Sequence, residues 1–216
     1  CADGDVAAGI RYAVDNGADV VNLSLGTTPG TPAASVQPMF DAAAYAQAHG
    51  VLLVVAAGNS NADIGATAVY PASIPGTNML VVGASAPDDT RAGFSNYGSP
   101  VDIFAPGVMI ASTLPNRAYG FMSGTSQAAP LTAGSAALVL GRNPNLSPAQ
   151  VIAQMVGTAD QIGPLSNWVT NGVRLNAARA IGVQADAGSV ADVSITGLRT
   201  AGGHLKDQVS LDDGRR

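Results

Sequence analysis

Only two histidines, His49 and His204, and one cysteine, Cys1, occur in these 216 residues. A single cysteine excludes an internal disulfide and leaves the compartment open. Aromatic residues make up 5% and charged residues 12%, which excludes a core built on large rings or an extended charged surface. Net charge is −5, and no Lys/Arg cluster supplies the cationic stripe that phosphate neutralisation requires, so nucleic acid is not an expected partner. No apolar run approaches the roughly 18 residues of a membrane span, so no membrane partner is expected either. What the chain does have is 47% hydrophobic residues and 26 glycines. That is enough for one core with tight turns and close backbone packing, plus a short appendage. The first residue is neither an initiator methionine nor part of a leader, so the segment is expected to be processed or cut from a longer chain.

Apolar runs and helical spacings alternate. Asp5 to Val14, closed by Gly17, has the cap, spacing and terminal glycine of a short helix. Val20 to Leu25 reads as a strand, Ala34 to His49 as a helix stopped by Gly50, and Val51 to Ala56 as a strand covered on both faces. Met79 to Val82 and Val101 to Phe104 read as further buried strands. Met109 to Thr113 and Tyr119 to Met122 are spaced as a hairpin. From Ser126 to about Gly141 a helix presents Ala128, Ala129, Ala133, Gly134, Ala136 and Ala137, small enough for close approach to its neighbours. Ser147-Pro148-Ala149-Gln150 is a capping box that opens another helix. This alternation implies βαβ crossovers and a mainly parallel sheet, an α/β fold. The pattern weakens beyond about Val183. Residues 1–182 are therefore expected to form one domain and 183–216 a linker or the start of a further module, with one short strand at Val193 to Leu198.

In open parallel sheets, functional groups collect at the carboxyl ends of strands. Three such places stand out. Ser24-Leu25-Gly26 and Ala57-Gly58-Asn59 each end a strand, and Ser126 opens a helix whose N-terminal N–H groups favour developing negative charge. An asparagine amide and a backbone N–H aimed at one carbonyl oxygen make an oxyanion hole. Each residue also has a plainer reading: Ser126 as a helix cap, Asn59 as a turn residue, and His49 as a cap on the carbonyls of its own helix.

Taken together, Asn22 to Gly26, Ala56 to Asn59, Tyr70-Pro71-Ala72, Phe94 to Gly98, Ala105-Pro106-Gly107, Ser123 to Pro130 and Gly172 to Ala177 resemble, in order, the motifs of subtilisin-like serine peptidases. The resemblance covers about residues 5 to 182. It implies a three-layer α/β fold with a mainly parallel sheet that is incomplete on its N-terminal side. It also implies a secreted or extracytoplasmic endopeptidase acting on polypeptides, with a propeptide or inhibitor as a further partner. Ser126 would be the nucleophile, and Asn59 with the Ser126 N–H would form the oxyanion hole. Ser24, Leu25 and Gly26 would make one wall of the pocket for the residue before the cleaved bond, and Ala57 and Gly58 the other. Val69 stands where many members have a glycine at the pocket floor, which predicts a shallow pocket suited to medium aliphatic residues. Ser60 at the rim supplies no carboxylate for a basic residue.

The family's triad runs aspartate, histidine, serine, and its Asp-Ser/Thr-Gly and His-Gly-Thr-His segments belong upstream of Asn22. Neither is present. Asp3, Asp5, Asp15 and Asp19 sit in no such context, and Leu131 replaces a histidine of the family outside the triad, a change expected to affect packing only. Three readings follow: a peptidase whose aspartate and histidine lie upstream, a non-catalytic peptide-binding module, or a half completed by a separate fragment. No cofactor is required. Calcium is an optional structural ion, for which Asp63, Asp88 and Asp89 offer carboxylates without diagnostic spacing.

Overall fold

The computed structural model describes residues 3–169 and 171–183. The expected tail module, its strand at Val193 to Leu198, and His204 lie outside the described residues. The elements are α1 (Asp3–Asp15), β1 (Val20–Leu23), α2 (Gln37–Ala48), β2 (Leu52–Ala56), β3 (Met79–Ser85), β4 (Ile103–Pro106), β5 (Ile110–Leu114), β6 (Ala118–Met122), α3 (Thr125–Arg142), α4 (Pro148–Gly157), β7 (Asp160–Gln161), β8 (Val173–Arg174) and α5 (Ala177–Ala180). Their kinds and order agree with the sequence reading. β7 and β8, two residues each, and the four-residue α5 were not legible in it. The capping box forms as expected, with Ser147 N–H donating to Gln150 Oε1 at 2.8 Å and Gln150 N–H to Ser147 Oγ at 3.4 Å.

The main sheet has the order β1-β2-β3-β4-β8-β7. Its pairs are parallel from β1 through β8, and β7 closes it antiparallel. β5 and β6 form a separate hairpin. The continuous apolar run of β2 has the role its composition demands, because both faces of a parallel sheet must be covered. Leu53, Val55 and Ala57 face the core with α1 and α2, whereas Leu52, Val54 and Ala56 face the core with α3, α4 and α5. Helices therefore flank the sheet on both sides, the expected three layers. Gly83 of β3 pairs with Phe104 of β4, and a Cβ there would stand 2.4 Å from the Phe104 ring. The missing side chain makes room for a large buried residue of a core poor in aromatics.

One expectation about α3 needs correction. Gly134 and Ala137 face solvent, not the sheet, because the helix packs through Ala128, Ala129, Thr132, Ala136 and Val139. Leu131 and Leu138 are also exposed, at 42% and 56%. Position 131 therefore presents a leucine partly outward. β1 ends at Leu23, two residues short of the expected strand, which leaves Ser24 and Leu25 outside the ladder.

Asp102 lies beside the start of β4, where its Oδ2 accepts the Val81 N–H at 2.7 Å. Burial pushes its carboxyl up from 3.8 to about 6, against the Val81 hydrogen bond that favours the charged form. The folded state thus binds this proton more tightly than the unfolded chain does. Stability is expected to fall as pH rises from about 4 to about 6 and then level off. Asp102→Asn keeps the acceptor and removes the charge. It should flatten that slope and gain about 3 kcal/mol above pH 6. Denaturant unfolding at pH 4.5 and pH 7 measures it, and identical slopes in both proteins would refute the assignment.

Candidate active site

The carboxyl ends of β1 and β2 and the N-terminus of α3 meet at one place. Ser126 is the second residue of α3, so its N–H has no acceptor within the helix. Its hydroxyl donates to the carbonyl of Ser24 at 3.3 Å, and the Ser24 hydroxyl donates to the carbonyl of Ser126 at 2.8 Å. Asn22 Nδ2 donates in turn to Ser24 Oγ at 2.9 Å. The sequence-predicted nucleophile therefore rests against the sequence-predicted wall.

Asn59 is exposed, yet its amide has a fixed orientation. Thr125 donates to Asn59 Oδ1 twice at 2.9 Å, from its backbone nitrogen and from its hydroxyl. The same hydroxyl accepts the Gly58 N–H at 3.1 Å. With Oδ1 engaged, Nδ2 faces outward as a donor. A Cβ at position 124 would stand 3.3 Å from Asn59 Nδ2 and 3.6 Å from the Ser126 nitrogen. Both nitrogens therefore lie beside the same small space at Gly124, which the Gln127 Oε1 also borders, 2.7 Å from that Cβ position. The sequence reading did not assign Thr125 a role. Its position before the serine, at the mouth of a helix, was the available signal.

Asn96 is the other residue that sequence reasoning quoted without a role. It is 1% exposed. Its Nδ2 donates to the Ala57 carbonyl at 2.8 Å, and its Oδ1 accepts the N–H groups of Ser60 and Ala62 at 2.9 and 3.0 Å. Its own N–H donates to the Gly58 carbonyl at 2.9 Å. One buried amide thereby sets the loop that carries Asn59. Gly58 has φ of 99°, and a Cβ there would meet Asn96 Nδ2 at 2.5 Å, so only glycine fits.

Val69 is buried. Its Cγ1 lies 3.3 Å from where a Cβ of Gly26 would stand and 3.8 Å from where one of Gly58 would. A branched side chain thus lies between the two glycine walls. Thr27 fastens this region to the Gly26 wall: its N–H donates to the Tyr70 carbonyl at 2.8 Å, and its hydroxyl accepts the Tyr70 N–H at 3.0 Å.

His49 is elsewhere. It caps the carboxyl end of α2, its Nδ1 lies 2.8 Å from the Tyr45 carbonyl, and its ring lies 4.2 Å from that of Tyr45. The length of β2, about 16 Å at 3.3 Å per residue, separates it from the loop of Asn59. The three loop carboxylates also have local partners. Asp63 accepts the Gly65 N–H, Asp88 accepts from Thr90, and Asp89 pairs with Arg174. Among the described residues no three His, Cys, Asp or Glu side chains are grouped as a metal site, and no helix is long and apolar enough to cross a membrane.

The sequence model of the Subtilase family matches residues 1–189. The chain is 39% identical over 173 residues to subtilisin BL of Lederbergia lenta, covering 80% of this chain and 61% of that protein. It is 38% identical over 174 residues to alkaline elastase YaB of Bacillus sp. (strain YaB), covering 80% and 43%. Among solved structures, a protease of Pseudoalteromonas arctica PAMC 21717 superposes with TM-score 0.72 at 30% identity, over 82% of this chain and 57% of that one. A cold-adapted subtilisin-like serine proteinase superposes with TM-score 0.67 at 35% identity, over 81% and 59%. The chain thus spans about half the length of the curated relatives it matches.

Proposed function

The chain belongs to the subtilase family, and we propose that it is the carboxyl-terminal portion of the catalytic domain of a serine endopeptidase acting outside the cytoplasm. What supports this reading is that Asn59 Nδ2 and the Ser126 nitrogen both lie within 3.6 Å of one point beside Gly124, at the mouth of the helix that carries Ser126. Ser126 Oγ attacks the scissile carbonyl as an imidazole takes its proton, and the oxyanion forms between the two donors. The imidazolium then protonates the leaving amine, and water hydrolyses the acyl-enzyme. A polypeptide lies extended along Ser24-Leu25-Gly26, beyond the last ladder pair Leu23 and Val55, and a propeptide or inhibitor would use the same groove. Calcium has a structural role at most.

The imidazole and its aspartate come from polypeptide beyond these residues. Among the described residues β1 is the outermost strand on its side of the sheet, and Leu131, Ala137 and Leu138 of α3 are exposed. An unpaired parallel edge beside an apolar helix stripe is where the complementary segment would pack. The isolated 216 residues are accordingly expected to self-associate and to hydrolyse peptides hardly at all.

Reading the coding sequence upstream of the Cys1 codon tests this. An in-frame Asp-Ser/Thr-Gly and His-Gly-Thr-His pair is expected, and a nearby start site without them would favour the non-catalytic module or a half completed in trans. In the extended enzyme Ser126→Ala should abolish hydrolysis. Asn59→Ala should cost about 10²–10³ in turnover, the loss found for the matching asparagine of subtilisin.

A further inference from the structure

α3 contains Pro130 in its interior. A proline inside a helix has no N–H to give the carbonyl four residues earlier, and its ring crowds that carbonyl. Four residues before Pro130 is Ser126. The nucleophile's own carbonyl therefore lacks the usual helical partner four residues on, and it is the atom that the Ser24 hydroxyl reaches at 2.8 Å. Asn22 Nδ2 donates to the Ser24 oxygen at 2.9 Å, which turns the hydroxyl hydrogen away from Asn22 and toward Ser126. The contact is reciprocal, because the Ser126 hydroxyl donates to the Ser24 carbonyl at the longer distance of 3.3 Å.

We propose that Ser24 is a positioning residue whose hydroxyl replaces the N–H that Pro130 lacks, so that the carbonyl of the nucleophile is tied to the end of β1 in place of that helical bond. The wall that holds the substrate and the turn that holds the nucleophile are thereby registered directly to each other. Asn22 fixes the direction of the tie. The proline and the serine act as a matched pair: Pro130 leaves a carbonyl open, and Ser24 fills it from another element.

The dipeptide Ser126-Gln127 is the only Ser-Gln in the chain. Labelling serine carbonyl carbon with ¹³C and glutamine nitrogen with ¹⁵N therefore isolates one carbonyl signal, that of Ser126, in these 216 residues and in any longer chain that adds no further Ser-Gln pair. Ser24→Ala should move this resonance upfield, as for a carbonyl losing a hydrogen bond. Ser24→Thr should leave it in place. Adding Pro130→Ala to Ser24→Ala should return it downfield, because residue 130 then has an N–H to give. Should Ser24→Ala not fold, Pro130→Ala alone retains every polar group and should shift the signal further downfield, with two donors on one oxygen. A resonance unmoved by Ser24→Ala, or by Pro130→Ala used in its place, overturns the proposal.

Positioning is separated from mere pairing by turnover in the extended enzyme, an arm that rests on the peptidase reading; the carbonyl signal needs no catalysis, so the two can fail independently. Ser24→Ala should lower kcat by up to about tenfold, the value of one hydrogen bond, with KM little changed. The Ser24→Ala/Pro130→Ala pair should keep that deficit although its carbonyl is again paired. Full recovery of kcat in the pair would reduce Ser24 to a structural partner and overturn its positioning role.

Discussion

Replacing Asn96 with alanine is expected to lower the thermal unfolding midpoint by on the order of 10 °C. The side chain is almost fully buried and makes three hydrogen bonds, to the Ala57 carbonyl and from the N–H groups of Ser60 and Ala62. Each is worth about 0.5–1.5 kcal/mol net, so losing three costs about 1.5–4.5 kcal/mol, and the buried Ala57 carbonyl left unpaired places the loss in the upper part of that range. A loss of about 3–4.5 kcal/mol corresponds at this chain length to the stated shift. Asn96→Asp should fare no better, since a carboxylate oxygen would face the Ala57 carbonyl where Nδ2 now donates. Because these bonds also set the loop that presents Asn59, turnover in the extended enzyme should fall even at temperatures where the variant is fully folded. Circular dichroism melts of both variants measure the first effect. A midpoint within about 2 °C of the parent would show that the loop is held by other means.

Opening the pocket is expected to change selectivity more than stability. Val69 fills the space between Gly26 and Gly58, so the substrate side chain entering between these walls meets a branched floor. The parent enzyme should therefore cleave after medium aliphatic residues. Ser60, exposed after Asn59, offers lysine or arginine no counter-charge. Val69→Gly removes three carbons, and each carbon-sized mismatch is worth about 1–3 kcal/mol in kcat/KM. The ratio of cleavage after phenylalanine to cleavage after valine should accordingly rise by about 10² or more. The lost burial costs about 1–3 kcal/mol of stability, and Val69→Ala should give a smaller shift at a smaller cost. A peptide library profiled on the extended enzyme decides the matter. Dominant cleavage after Phe, Tyr or Lys by the parent would sink the assignment.

Much of this was written locally in the chain. The apolar runs of β2 and β3, the spacing of the hairpin, the capping box at Ser147 and the Gly-rich turn before Ser126 all depend on neighbours a few residues apart. Periodicity and turn chemistry therefore placed the strands and helices, and the resemblance carried by those motifs supplied the candidate nucleophile, oxyanion partner and pocket walls. Periodicity failed on α3. Its surface is small and apolar on more than one side, so nothing in the spacing told Ala128, Ala129 and Ala136, which pack, from Gly134 and Ala137, which do not. β8 was invisible for another reason, since two residues carry no pattern until β4 offers them an edge.

The remaining determinants are contacts between distant residues. Thr125 orients Asn59 across 66 positions, Asn96 holds Ala57 across 39, and Ser24 reaches Ser126 across 102. The sequence by itself determined which groups could do the chemistry and which elements would carry them. Only the tertiary structure decided which hydrogen bond each group makes, because a hydroxyl or an amide in a sequence has many acceptors within reach of its chemistry, and the packing of strand ends against a helix mouth leaves it one.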